Sequence, residues 1–245
     1  MIERQVKLLV LDKDGTLVRP KSGNTFVQHP EDQELIEGVA EAIQRYVADG
    51  WQLAIASNQG GCEVRWCHPA ELPVGSYCNV DNIAIKVEYL QDTGEFILVN
   101  GHHPLPKTRF AKFQYKTLGI AIAEMQYAMK LIGIQYHGLF CPDMQGNECY
   151  MTSDFAAPPL HKVDRYKHLI GSFRKPSGGM LLALKQHFET HLDDVDRLLM
   201  IGDRPEDLGS AQAAGFDFVW AEDWRNNELD KVLPYRSEEW IALNS

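Results

Sequence analysis

Lys7-Leu8-Leu9-Val10-Leu11-Asp12-Lys13-Asp14-Gly15-Thr16 is the stretch that decides the fold. After its lysine the run is apolar without alternation, the pattern of a strand buried on both faces of a parallel sheet, and it stops at an acidic turn containing glycine. Working outward, residues 33–49 place Leu35, Ile36, Val39, Ala42, Ile43, Tyr46 and Val47 at helical spacing, with Gly50 as a C-terminal stop. Residues 51–56 read as the next strand. Strand, helix and strand with a connection of this length imply a right-handed βαβ unit. The pattern returns late in the chain, as a helix over 179–188, a strand over 198–201, a helix over 205–214 and a strand over 216–220. The expected class is α/β, a doubly wound parallel sheet.

Between the two ends the character changes. Residues 62–106 hold Cys62, Cys67 and Cys78, and 83–90 followed by Asp92-Thr93-Gly94 and 96–99 read as a β-hairpin. The chain is therefore expected to form a single domain over 1–245, with 62–106 as an inserted hairpin lobe or small cap. After it, 111–131 is expected to be a helix with Leu118, Ile122, Met125 and Met129 on its apolar face, leading to a strand near Gly138-Leu139-Phe140. Residues 141–173 lack clean periodicity, contain Pro158-Pro159 and read as a long surface loop. Residues 222–245 read as a short acidic helix and an ending.

Composition bounds the function. With 245 residues, 44% hydrophobic and 24% charged, the chain can bury a sizeable core and is not a mainly disordered protein. No apolar run approaches the roughly 20 residues of a membrane span, and the mixed charges of 1–7 do not make a signal peptide, so a cytoplasmic protein is expected. Five cysteines, an odd number, point to reduced thiols or a metal site rather than a disulfide framework. A net charge of −10 removes the footprint of a general nucleic-acid binder and leaves small anionic substrates open.

In an open α/β sheet, ligands bind beyond the carboxyl ends of the strands. The first strand runs into Asp12-Lys13-Asp14-Gly15-Thr16, the second into Ser57-Asn58-Gln59-Gly60-Gly61, and the late strand into Gly202-Asp203-Arg204-Pro205-Glu206-Asp207. Asp12, Asp14 and Asp203 are expected to converge there. Converging carboxylates repel unless a cation sits among them, and hard oxygen ligands suit Mg²⁺. Ser57 and Asn58 add neutral donors, and Lys175, before a predicted helix, can neutralise an anion. Each segment taken singly is also an ordinary turn or helix start. Three strands ending this way argue for a site.

These segments resemble the haloacid dehalogenase (HAD) superfamily, with Asp12-x-Asp14-Gly15-Thr16-Leu17, Ser57, Lys175 and Gly202-Asp203-x-x-x-Asp207 as its four motifs in order. Ser57-Asn58-Gln59-Gly60-Gly61 and Arg174-Lys175-Pro176-Ser177-Gly178-Gly179-Met180 are similar to the subfamily (IIIA) of heptose bisphosphate phosphatase, histidinol phosphatase and the phosphatase domain of polynucleotide kinase. The resemblance implies a Rossmann-like fold and a Mg²⁺-dependent phosphomonoesterase acting on a small phosphate ester, a sugar or amino-alcohol phosphate. It implies Asp12 as nucleophile, Asp14 as general acid and base, and Mg²⁺ on Asp12, the Asp14 carbonyl and Asp203. Ser57, Asn58 and Lys175 would hold phosphate, Arg174 would touch substrate, and Asp207 would orient Lys175 or a metal-bound water.

Within that subfamily, heptose bisphosphate phosphatases carry a Cys/His zinc loop shortly before the Arg-Lys-Pro motif. Here Cys141 and Cys149 have seven residues between them and no tight pair, which is weak evidence for Zn²⁺. Cys62, Cys67, His68 and Cys78 form a second such set. His102-His103-Pro104-Leu105-Pro106-Lys107 and Arg109 are locally basic. A polynucleotide 3′-phosphatase is the second enzymatic reading, opposed by the acidic balance and the lack of a kinase P-loop. A non-catalytic HAD-fold binding or assembly protein is the third.

Overall fold

The computed structural model describes residues 6–27, 29–63, 65–67, 77–80, 83–90, 95–98, 111–133, 136–153, 156–191, 195–228 and 231–235. In chain order the elements are β1 (Val6–Leu11), β2 (Val18–Arg19), β3 (Glu34–Leu35), α1 (Val39–Ala48), β4 (Trp51–Asn58), β5 (Arg65–Cys67), β6 (Tyr77–Val80), β7 (Ile83–Leu90), β8 (Glu95–Leu98), β9 (Ala111–Gln114), α2 (Leu118–Ile132), β10 (Tyr136–Cys141), β11 (Tyr150–Ser153), α3 (Gly179–His191), β12 (Val195–Gly202), α4 (Pro205–Ala214), β13 (Asp217–Trp220) and α5 (Ala221–Arg225).

The main sheet has the order β11-β10-β4-β1-β12-β13, parallel except for β11, which runs antiparallel at the edge. β1 lies at its centre, and the sequence explains why: Leu8 and Val10 join one buried cluster, Leu9 and Leu11 the other, so both faces of the strand are covered. One cluster packs Met180, Leu181, Leu184, Leu208 and Ala211 of α3 and α4 against the sheet, and the second packs residues of α1, α2 and α5 against the opposite face. From β1 the chain crosses to β4 on one side, and it later returns to β12 on the other. The carboxyl end of β1 is thus the point at which the winding reverses, where α/β folds place their ligands.

The doubly wound parallel sheet expected from the sequence is present. Four local expectations are corrected. The first helix begins at Val39 rather than 33, because Gly38 sits in the left-handed conformation (φ 83°) and Glu34–Leu35 pairs with Val18–Arg19 as a small ribbon. Residues 111–114 form β9, paired with β5 and β6, and α2 starts only where the Thr117 hydroxyl accepts from the Ile120 amide at 3.2 Å. The expected hairpin exists as β7 and β8, but it belongs to a five-stranded antiparallel sheet, β5-β9-β6-β7-β8, larger than the hairpin lobe foreseen. Residues 141–173 are not a surface loop: they contain β11 and two short 3₁₀ segments, and Cys149, Leu160, Tyr166, Leu169 and Phe173 are buried in the core. Short 3₁₀ turns leave no periodicity to read.

The turn at Asp92-Thr93-Gly94, the basic stretch 102–109, His68 and the tail beyond Tyr235 lie outside the described residues. Among the described residues no helix is long and apolar enough to cross a membrane.

Candidate active site

Asp12 follows β1 directly, and its amide is still held in the sheet by the Ile201 carbonyl at 2.9 Å. The chain then turns sharply at Gly15, whose φ of +88° favours glycine and where a Cβ would come within 2.3 Å of Asp203 Oδ2. That close approach brings Thr16 Oγ1 to Asp203 Oδ1 at 3.2 Å. The first and fourth segments are therefore locked together at the sheet edge.

Lys175 reaches the same place from the loop before α3. Its Nζ lies 2.5 Å from Asp12 Oδ1 and 2.6 Å from Asp207 Oδ1, and it donates to the Ala56 carbonyl at 2.8 Å. Burial alone would depress the lysine, but Asp12 and Asp207 outweigh it and raise it above its usual value. Asp207 uses its other oxygen to accept the Arg204 amide at 3.1 Å, so one carboxylate starts α4 and holds Lys175. Gly202 makes this possible, since a Cβ there would collide with Asp207 at 2.2 Å.

Ligand oxygens of Asp12, Asp203 and Asp207 all lie within 4.8 Å of one another. Burial pushes the Asp12 carboxyl up to about 7, with Asp207 and Asp14 adding to the rise and Lys175 opposing it. Burial likewise raises Asp203, and Asp207 reinforces it. Three carboxylates facing one ammonium leave excess negative charge, and oxygen-only donors fit a hard cation such as Mg²⁺. The metal set implied by the resemblance uses the backbone carbonyl of Asp14 rather than its carboxylate. The Asp14 carboxylate points away from this cluster, toward Lys13 Nζ at 2.5 Å and Gln59 Nε2 at 3.0 Å, while Asp207 joins it. Burial works to raise the Asp14 carboxyl, but the Lys13 ammonium beside it, with Lys116 and Gln59, holds it below the usual carboxylate range.

Ser57 is buried at the end of β4, and its Oγ accepts from Gln59 Nε2 at 2.8 Å, which leaves the hydroxyl hydrogen free for another acceptor. A family profile described as "Polynucleotide kinase 3 phosphatase" matches residues 7–221 of this chain, a span holding every one of these side chains. The chain belongs to the polynucleotide kinase 3 phosphatase family. It is a HAD-type phosphatase, a phosphoric monoester hydrolase by class, as the motifs implied. It is similar to a D-glycero-D-manno-heptose-1,7-bisphosphate 7-phosphatase of Thermosynechococcus vestitus, 26% identical over 205 residues that cover 84% of this chain and 73% of the relative. It is also similar to a D-glycero-beta-D-manno-heptose-1,7-bisphosphate 7-phosphatase of Pseudomonas putida, 22% identical over 230 residues that cover 94% and 90%. Among solved structures, a D,D-heptose 1,7-bisphosphate phosphatase from B. bronchiseptica, complexed with magnesium and phosphate, aligns at 18% identity with a TM-score of 0.46, covering 87% of this chain and 79% of that one.

Within this phosphatase the remaining candidates are placed as follows. The Asn58 side chain is spent on the Lys175 backbone, accepting from its amide at 3.0 Å and donating to its carbonyl at 3.0 Å. Arg174 is half-buried, and its Nη1 is enclosed without a hydrogen-bond partner among the described residues, packed where a Cβ on Gly60 would lie 3.1 Å away. Cys141 and Cys149 are buried free thiols; Cys141 Sγ lies 3.3 Å from Asp143 Oδ1, and burial pushes both thiols upward, away from the thiolate that Zn²⁺ requires. Among the described residues, the metal-ligand grouping that stands out is the carboxylate cluster, and neither thiol belongs to it. Cys62 is half-buried, with Cys67 and Cys78 on β5 and β6. Sequence reasoning assigned no role to Lys13, Gln59, Lys116 and Glu124, although all four surround Asp14 or its partners. The legible signal was Lys13 between two motif aspartates, a position the structure buries completely.

Proposed function

We propose that the protein is a Mg²⁺-dependent phosphomonoesterase that hydrolyses a phosphorylated sugar through an aspartyl-phosphate on Asp12. The observation that carries this reading is the buried Lys175 ammonium, 2.5 Å from Asp12 and 2.6 Å from Asp207, at the carboxyl end of the central strand. Lys175 favours the ionised form of Asp12, the form able to attack phosphorus, and offsets the charge that burial penalises. A bound Mg²⁺ would be held by Asp12 and Asp203, with the Asp14 carbonyl as a further oxygen, and would neutralise charge on the transferring phosphoryl. Ser57 Oγ and Lys175 Nζ then clamp phosphoryl oxygens, the electrostatic work that dominates phosphoryl transfer. Asn58 acts at one remove, by fixing the Lys175 backbone. Asp14, ionised in the free enzyme, would take up a proton as the phosphate ester binds, give it to the leaving alkoxide and regain one from the hydrolytic water, and Arg174 would contact the sugar.

Both curated relatives bear names of sugar bisphosphate phosphatases, which supports a sugar phosphate as substrate class. In this reading the five-stranded sheet would narrow access to the crevice, and the free thiols suit a reducing cytoplasmic setting. The test is phosphate release over sugar phosphates, amino-alcohol phosphates and 3′-phosphorylated oligonucleotides, with and without Mg²⁺. Sugar phosphates are expected to turn over, with EDTA and Asp12→Asn each abolishing release. Preference for the oligonucleotide would transfer the assignment to a 3′-phosphatase, and Mg²⁺-independent turnover or an active Asp12→Asn would overturn the mechanism.

A further inference from the structure

The chemistry proposed above leaves a set of buried polar side chains behind Asp14 unused. Gln59 forks its amide nitrogen between Asp14 Oδ2 at 3.0 Å and Ser57 Oγ at 2.8 Å, while its Oε1 accepts from Lys116 Nζ at 2.8 Å. Lys116 Nζ also meets Glu124 Oε2 of α2 at 2.5 Å, and the Glu124 side chain is 1% exposed. On the other side of Asp14, Lys13 Nζ bonds Asp14 Oδ1 and, at 3.3 Å, Gln33 Oε1, whose amide nitrogen donates to the Glu124 carbonyl at 3.1 Å. The bonds close a ring that leaves Asp14 by one oxygen and returns to the other.

We infer that Lys116, anchored by Glu124, is a positioning residue for Asp14 that acts through Gln59. The inference rests on the phosphatase reading and adds residues that the motif-based assignment lacks. A lysine can only donate and an ionised carboxylate can only accept, so an amide between the two has a single allowed orientation, nitrogen toward Asp14. Lys116 thereby stops Gln59 from turning its oxygen on Asp14, and with Gln59 holding Oδ2 while Lys13 holds Oδ1 the carboxylate is gripped at both oxygens and cannot rotate. A carboxyl that must reach a leaving oxygen within hydrogen-bond distance depends on that restraint. The two lysines balance Asp14 and Glu124 in sign, so the ring carries no net charge into the interior. Its location is also informative: the Lys116 amide donates to the Gly61 carbonyl at 3.0 Å, so the relay sits at the neck where the chain leaves for the five-stranded sheet and comes back.

The experiment measures kcat, KM and thermal midpoint for Gln59→Ala, for the paired change Lys116→Met with Glu124→Gln, which leaves neither charge buried alone, and for all three together. Asp14→Asn serves as the reference. We expect kcat to fall about tenfold to a hundredfold in each, with KM within about twofold, a share of what general acid–base catalysis supplies. The triple change should be no worse than Gln59→Ala, and none should matter further in an Asp14→Asn background. Lys116→Arg, which keeps donors for Gln59 and Glu124, should retain most of kcat. An unchanged kcat in the paired variant, losses that multiply in the triple, or losses that persist without Asp14 would overturn the relay. A wild-type enzyme that releases no phosphate, or an Asp14→Asn variant as active as wild type, would sink the phosphatase reading and the relay with it.

Discussion

Lys175 and the carboxylates it separates show how far one buried charge can matter. Its side chain is 2% exposed and stands between Asp12 and Asp207, so Lys175→Met leaves two buried carboxylates without a counter-charge. Breaking a buried pair in this way costs about 3–5 kcal/mol, and a urea titration in EDTA should show a loss of that size. Adding Asp12→Asn to Lys175→Met should recover part of it, since one of the opposed charges is gone. Asp143 illustrates the opposite case. Burial raises its carboxyl, but the Asn147 and Glu148 amides, each at 2.9 Å, together with Cys141, hold it below its ordinary 3.8. The unfolded chain then binds more protons than the folded one just below that value, so this contribution is present above it and lost as pH falls. Wild type should exceed Asp143→Asn by less than about 1 kcal/mol at neutral pH, solvent screening keeping the figure small, and denaturant midpoints should converge in acid. A gap that widened on acidification would contradict this.

Elements divide into those whose pattern announces them and those fixed by distant partners. β1, β4, β12 and α4 were legible because apolar runs ending in Asp12, Ser57 and Gly202, and a proline opening α4, are local signals. β9 was not, since its four residues become a strand only by pairing with β5 and β6. The site divides the same way. Asp12, Lys175, Asp203 and Asp207 follow from strand ends and motif order, whereas the orientation of Asn58 toward the Lys175 backbone and the Gln59–Lys116–Glu124 contacts join segments far apart in sequence. α4 carries a prediction of its own. Asp207→Ala should lose about 1 kcal/mol through the uncapped helix start, together with most of kcat. Asp207→Asn keeps an acceptor for the Arg204 amide but turns a donor on Lys175, so slow amide exchange at Arg204 should survive in that variant while kcat falls. Equal exchange rates in the two variants would disprove the division of labour assigned to the two oxygens.

For the whole molecule, the order β11-β10-β4-β1-β12-β13 nests one part of the chain inside the other. The strands that precede the five-stranded sheet, β1 and β4, occupy the middle, and those that follow it lie on both sides of them. A chain divided within 68–76, between β5 and β6, therefore yields two pieces of which one is the inner pair of the main sheet and the other the flanks, with Asp12 on the first and Lys175 on the second. Apolar surface on both faces of β1 favours their reunion. Expressed separately and mixed, the pieces should associate and regain phosphate release, and neither alone should show any. Fused to two candidate binding partners, they would make a complementation reporter whose signal, turnover of a chromogenic phosphate, depends on bringing the Asp12 carboxylate and the Lys175 ammonium from different polypeptides to 2.5 Å.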